Sequence, residues 1–327
     1  MVHGPSLECD VEEPASPHRP MRVVLAAPRG FCAGVRRAID AVSDAIERHG
    51  PPVYVRRAIV HNLAVVRELE AKGAIFVQEV DEVPAGAVLI LSAHGVSRSI
   101  ANDAEDGGRR VIDATCPLVA KVHREVVRHH RDGRHVILIG HADHPEIEGT
   151  LGQLPGDAAS VISTQGDVAA LTFPAETRVA FAVQTTFSVE EAAGIADALK
   201  TRFADLAGPN GSDICYATSN RQAALRAIVP QVDAIVVVGE SFSSNANRLV
   251  EVAAAQGCAS VQLVAGPEDL DWSAFQAAAS IGVTAAASTP ESSVTAVLQS
   301  LRDRFALLVE EVGSPIESIY FRPVQVA

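Results

Sequence analysis

The sequence predicts an α/β fold built as three similar parallel-sheet modules in a pseudo-threefold arrangement. Three observations carry that expectation. Short β-branched runs alternate with amphipathic helical stretches along all 327 residues, the pattern of α/β proteins. Most of the runs are apolar throughout, as strands buried on both faces of a parallel sheet are. Finally, Cys32, Cys116 and Cys215, spaced 84 and 99 positions apart, each sit at or just after a predicted strand and just before a predicted helix. Three like modules contributing one Cys each account for that spacing, although the flanking sequences differ.

The predicted strands are Arg22–Ala26, Val53–Arg57, Val88–Ser92, Arg110–Asp113, Val136–Ile139, Val179–Val183, Ala234–Val238 and Ser280–Val283. Between them lie helical periods such as Val35, Ile39, Val42 and Ile46, and later Val119, Val122, Val126 and Val127. The strand exits are more informative than the strands. They read PRGFCAGVRRAI, IVHN, LSAHGVS, DATCPLVAKV, IGHADHPEIEGT, VQTTFS, CYATSNRQ, GESFSSNANR and VTAAAST. Ligands of parallel α/β sheets gather beyond the carboxyl ends of the strands. Sheets that aim those ends at one centre would build a single site from distant segments.

Composition narrows the partners. Apolar residues make up 48% of the chain, enough for two or three cores, while aromatics at 4% suit tightly packed α/β layers. The net charge of −13 argues against a nucleic-acid or anionic-membrane surface. A small anion is still compatible, because backbone amides can hold a phosphate locally. No apolar stretch approaches the ~18–20 residues of a membrane helix. Residues 1–20 carry Glu8, Asp10, Glu12, Glu13 and several prolines instead of a signal sequence, and read as a flexible tail. The expected location is the cytoplasm. Five cysteines, an odd number over this length, do not make a disulfide framework.

Three separated cysteines without C-x-x-C pairs fit a structural zinc site poorly. They fit an iron–sulfur cluster with three thiolate-bound irons and a fourth iron free for substrate, able to act as a Lewis acid. Three buried thiols packed as small hydrophobes would give the same spacing, and the spacing does not choose. Cys9 in the tail and Cys258 at an Ala-rich helix end have no such context and read as structural. His61, His94 and His144 each come after a strand, and three such imidazoles point to anion binding, with charge if protonated. His123, His129, His130 and His135 are expected on exposed helix faces or ends, and His141 as structural. Ser243, Ser244 and Asn245, and separately Ser288, suit either a phosphate cradle or ordinary N-caps. Glu146 suits a proton donor, with Glu148 as the alternative, and either could instead be a first-turn acid. Thr185 and Thr186 would position a substrate alcohol or cap.

Taken together, GFCAGVRRAI, IVHN, SAHGVS, DATCPLV, GHADHPEIEGT, QTT, ICYATSNRQ, SSNANRL and VTAAAS resemble, in order, the 4-hydroxy-3-methylbut-2-enyl diphosphate reductases of the LytB type. The resemblance runs from about residue 22 to 312. It implies a central 4Fe-4S cluster on Cys32, Cys116 and Cys215, converting to 3Fe-4S on oxidative loss of the open iron. It assigns the diphosphate to His61, His94, His144, Ser243, Ser244, Asn245 and Ser288, with Asn245 also at the reacting end. Thr185 falls beside the substrate alcohol and Glu146 at the proton source. The implied reaction is reductive dehydroxylation of the allylic diphosphate to isopentenyl and dimethylallyl diphosphate, the last step of the methylerythritol phosphate pathway. The resemblance implies a ferredoxin or flavodoxin as electron donor; separately, no convincing G-x-G-x-x-G comes after a strand, which argues against direct nicotinamide binding. The module boundaries expected are 34–116, 117–213 and 214–311 with strand 21–33, then a closing segment at 312–327. A hydro-lyase using the iron only as a Lewis acid, and a non-catalytic iron–sulfur sensor, are the rival readings.

Overall fold

The computed structural model describes residues 18–326; Cys9 and most of the expected tail lie outside the described residues. The chain starts on β1 (Pro20–Ala27) and α1 (Ala33–His49). It then lays down β2 (Val53–Arg56), α2 (Leu63–Lys72), β3 (Ala74–Val77), β4 (Val88–Leu91), α3 (Arg98–Asp106) and β5 (Arg110–Asp113). The second run is α4 (Pro117–Arg131), β6 (His135–Ile139), α5 (Pro145–Leu151), β7 (Ala159–Ile162), α6 (Gln165–Ala170), β8 (Val179–Val183), α7 (Val189–Arg202) and β9 (Leu206–Ala207). The last run is α8 (Tyr216–Ile228), β10 (Ala234–Val238), α9 (Ser244–Ala255), β11 (Val261–Val264), β12 (Ser280–Ala285), α10 (Glu291–Arg302) and β13 (Ala306–Gly313).

Three sheets result, with strand orders β3-β2-β4-β5, β7-β6-β8-β9 and β11-β10-β12-β1-β13. Every strand pair is parallel. The order second-first-third-fourth therefore occurs three times, with β1 inserted before the last strand of the third sheet. This is the threefold architecture the cysteine spacing predicted, repeated in topology rather than in sequence.

Central strands β4, β8 and β10 are buried at every position, which is why they are apolar throughout. The strands missed from sequence, β3, β7, β9, β11 and β13, are short, at an edge, or only half-buried, so their apolar signal is diluted. β2 ends at Arg56 because Arg57 turns to φ 55, a conformation a strand cannot continue through. Three histidine expectations fail here. His129 is buried and His123 half-buried rather than exposed, and His135 is half-buried at the start of strand β6 rather than at a helix end. In α4 the buried stripe runs Val119, Val122, Val126, His129, so helical periodicity carries His129 inward with the valines. No helix among the described residues is long and apolar enough to cross a membrane.

Candidate active site

The carboxyl ends of all three sheets open on one cavity. Each of the twelve residues singled out from sequence lines it: Cys32, Cys116, Cys215, His61, His94, His144, Glu146, Thr185, Ser243, Ser244, Asn245 and Ser288. Nearly all arrive the same way, on the turn after a strand. Cys32 comes after β1, His61 after β2, His94 after β4, Cys116 after β5, His144 after β6, Thr185 after β8, Ser243 after β10 and Ser288 after β12.

The three cysteines are themselves helix N-caps, of α1, α4 and α8. Cys32 Sγ accepts from Val35 N at 3.4 Å, and Cys215 Sγ from Thr218 N at 3.3 Å. Three helix N-termini thus present their positive ends to the thiols, which favours negative charge there. Their backbones are fixed by a repeated device. Cys32 N–H donates to Ala287 O (3.3 Å), Cys116 N–H to Ala93 O (3.0 Å) and Cys215 N–H to Thr185 O (3.0 Å). Each acceptor belongs to a strand exit that also carries a residue assigned to the substrate.

Burial opposes the helix ends. It pushes the Cys116 thiol up to about 12 and Cys215 to about 11, helped by the neighbouring cysteines. Those two thiols, Cys116 and Cys215, therefore stay protonated until a cation compensates them. Three thiols that line one cavity suit a polynuclear cluster. The space is also kept clear: a Cβ on Gly34 would sit 2.8 Å from Cys116 Sγ and 3.8 Å from Cys32 Sγ. The donor set and the space fit an iron–sulfur cluster.

The rest of the cavity is lined by imidazoles and hydroxyls, without a single Lys or Arg among its described lining residues. His61 stacks on His94 at 4.2 Å between ring centroids, and His144 stands edge-on to both at 5.7 and 6.1 Å. Burial lowers His61 to about 4 and, with help from His61 and His141, His144 to about 3. His94 is also lowered, by burial first and then by His61, His144 and Arg57. All three are neutral at pH 7 in the protein alone, so charge on the imidazoles has to come with the anion. His144 Nδ1 accepts from Glu146 N at 3.1 Å, which leaves Nε2–H free to donate. Ser243 caps α9 through Ala246 N, and Ser288 Oγ donates to His61 O at 3.0 Å.

Glu146 is fully enclosed, 2% exposed. Its Oε1 accepts from Thr185 N and its Oε2 from Thr185 Oγ1, both at 2.7 Å. Burial raises its carboxyl to about 7 even though those two bonds pull the other way. It can therefore gain and lose a proton near neutrality, through a hydroxyl that itself lines the cavity. Glu148, the alternative donor, points elsewhere. It forms a two-pronged ion pair with Arg57 (2.7 and 3.1 Å) that lowers its carboxyl.

Several participants had no sequence signal strong enough to single them out. Thr218 Oγ1 lies 3.2 Å from Cys215 Sγ and takes a bond from Asn245 Nδ2 at 3.4 Å. Asn245 Oδ1 accepts from Ala287 N at 2.8 Å, so one amide joins the Cys215 helix to the turn after β12. Ser244 Oγ is held by Thr186 Oγ1 (3.0 Å) and Gln184 Nε2 (3.2 Å). Arg248 donates to His141 Nε2 at 2.9 Å, which makes His141 a structural acceptor beside the pocket, as expected.

A threefold α/β fold that directs three capped thiols and a cation-free anion pocket into one cavity, beside a carboxyl tuned to neutrality, defines a redox-cofactor enzyme for a small anion. The sequence profile of the LytB protein family matches residues 23–302, and the chain belongs to that family. It is 50% identical over 302 residues to the 4-hydroxy-3-methylbut-2-enyl diphosphate reductase of Beijerinckia indica, covering 92% of this chain and 95% of the other. It is also 50% identical over 303 residues to the enzyme of that name in Ruegeria pomeroyi, covering 93% and 96%. Among solved structures, the E-1-hydroxy-2-methyl-but-2-enyl-4-diphosphate reductase of Plasmodium falciparum superposes with a TM-score of 0.86 at 36% identity, over 94% of this chain and 96% of that one.

Proposed function

We propose that the protein reductively dehydroxylates (E)-4-hydroxy-3-methylbut-2-enyl diphosphate to isopentenyl and dimethylallyl diphosphate, the last step of the methylerythritol phosphate pathway. The observation that carries this reading is the sharing of one cavity by three thiols at helix N-cap positions, a histidine-rich pocket and Glu146 hydrogen-bonded to Thr185. Neither a sensor nor a hydro-lyase needs a proton source matched to an electron source. Cys32, Cys116 and Cys215 would hold a 4Fe-4S cluster, which supplies electrons one at a time and an iron without a thiol ligand as Lewis acid for a hydroxyl.

The chain's own residues do the rest. His61, His94, His144, Ser243, Ser244, Asn245 and Ser288 bind the diphosphate through N–H and O–H donors and the start of α9. Once the dianion is bound, its charge favours protonation of the imidazoles beside it. Thr185 orients the alcohol, and Glu146 passes a proton to it through Thr185 Oγ1. The balance is two electrons and two protons in, the C–O bond broken, one C–H bond formed and water released. Electrons come from an external carrier of the ferredoxin or flavodoxin type, and the enzyme works in the cytoplasm. The module boundaries proposed are those expected from the sequence.

Anaerobic reconstitution with iron and sulfide, followed by turnover of the allylic diphosphate with reduced viologen, tests the reading. Formation of the two isomeric products, dependent on reductant, is expected. Product without reductant makes the protein a hydro-lyase; a bound cluster with no product makes it a sensor.

A further inference from the structure

Residues 314–326 form a strap without helix or strand that leaves the last strand of one sheet and ends in the core of another. Its far end is anchored by packing: Val326 is buried and Val324 half-buried against the apolar core of the β2–β5 sheet. Along the way Arg37 Nε on α1 holds Arg322 O at 2.9 Å, and Phe321 forms part of the cysteine-bearing cavity's wall. Its middle is tied to a guanidinium that binding and proton transfer leave unused. Arg221, on α8 two turns after Cys215, is 0% exposed. Its Nε and Nη2 donate to Gly30 O at 3.0 and 2.6 Å, in the loop that delivers Cys32. Its Nη1 donates to Ala217 O at 3.0 Å. The remaining donors meet the Glu317 carboxylate of the strap at 3.2 and 3.1 Å, and Asn220 Nδ2 adds a bond to Glu317 at 2.9 Å.

One buried cation thus joins the Cys32 loop, the Cys215 helix and the strap. A fully buried guanidinium persists only when its charge is paired and its donors satisfied, and Glu317 supplies the countercharge. A second tie runs beside it: Ala33 N–H donates to the Tyr216 hydroxyl at 2.9 Å, so the residues next after Cys32 and Cys215 are joined directly. Between α1 and the strap lies a groove lined by Phe31, Arg36, Asp40, Tyr216, Tyr320 and Phe321. It runs behind the thiol wall, and the strap is what covers it.

We propose that Arg221 is a positioning residue that, through Glu317, pins the strap over the Cys32–Cys215 wall and shields what the thiols hold from solvent-borne chelators. The inference rests on the cluster reading for its second half and on geometry alone for its first. Glu317 is the residue to change, because removing Arg221 also strips Gly30 and Ala217 of partners and endangers folding. Hydrogen exchange on the metal-free chain reads the first half: strap amides of Glu317→Ala should exchange roughly tenfold faster than in wild type, the buried strands unchanged. Absorbance of the reconstituted protein under an iron chelator reads the second half, with bleaching accelerated by a similar factor. Glu317→Gln, which keeps an acceptor for one guanidinium N–H, should fall between the two. Wild-type exchange in the strap of Glu317→Ala overturns the pin. Faster exchange with wild-type bleaching overturns the shield. Should the wild-type chain assemble no cluster, the family reading fails while exchange still decides the pin.

Discussion

The thiol wall and the imidazole pocket occupy the same cavity, yet burial moves their titrations in opposite directions. Cys116 and Cys215 are pushed up, and His61, His94 and His144 down. The cause is common: removal from water disfavours the charged form, which is the deprotonated thiol on one side and the protonated ring on the other. Both halves are therefore neutral in the protein alone. Under the proposed function each meets a ligand that brings the missing charge, a cationic iron centre for the thiols and a polyanion for the rings. Helix N-termini assist both, since α1, α4 and α8 begin at the cysteines and α9 at Ser243.

The largest expected effect separates the thiol wall from the remaining cysteine. Cys116→Ser or Cys215→Ser should reduce bound iron and visible absorption to background after reconstitution. Cys258→Ser should retain both, because Cys258 does not line the cavity and its Sγ donates to Ser260 O at 3.3 Å. Equal iron loss in Cys258→Ser and Cys116→Ser would remove the ligand assignment.

Next comes the junction of the two halves. Glu146→Gln keeps the shape of the Thr185 contact but cannot deliver a proton. Its turnover should drop by roughly 10²–10⁴-fold with iron content unchanged. Near-normal turnover in a fully loaded variant would take Glu146 out of the mechanism.

Gly34→Ala probes the space among the thiols rather than the thiols themselves. The new methyl would stand 2.8 Å from Cys116 Sγ, so that sulfur has to move. Overpacking of this kind costs about 1–3 kcal/mol, and cluster assembly should slow at full protein yield. Iron uptake at the wild-type rate argues that the thiols rearrange freely, against a fit set by the space at Gly34.

The imidazole half is sharpened by pH. With His61 near 4 and His144 near 3 in the protein alone, a bound dianion raises these values and the complex takes up protons. Diphosphate affinity should rise as pH falls from about 8 to 7, above the second phosphate pKa of about 6. Calorimetry in buffers of different ionisation heat measures the uptake directly. A flat affinity with no proton uptake would leave the rings as neutral donors only.

The smallest effect is on stability. The Glu146 carboxyl, raised from 4.5 to about 7 by burial, favours folding fully below its unfolded value, and that contribution is lost as pH rises through about 7. The urea midpoint of metal-free Glu146→Gln should therefore gain on wild type as pH rises from about 4.5 to 7, with little further change above. A constant difference across that range would mean that Glu146 does not titrate there.

Much of this site could be read in the sequence because parallel sheets deliver their functional residues at strand exits. His61, His94, Cys116, His144 and Thr185 were visible as polar residues ending apolar runs, and a run buried on both faces needs no partner to be recognised. The three-module organisation was legible from the places of Cys32, Cys116 and Cys215 for the same reason. Glu146 and Glu148 were not separable, since both are acids in one short helix. Only the fold sets Glu146 under Thr185, where burial raises it, and Glu148 against Arg57, where an ion pair lowers it. Edge strands such as β3 and β11 escaped because half of their surface meets water. Sequence determined which residues reach the cavity, through apolar periodicity and the turns that end it. Tertiary structure decided their protonation and their ties, Thr218 with Asn245 and Arg221 with Glu317. Desolvation and hydrogen bonds between residues 27 and 96 positions apart exist only once the sheets have met.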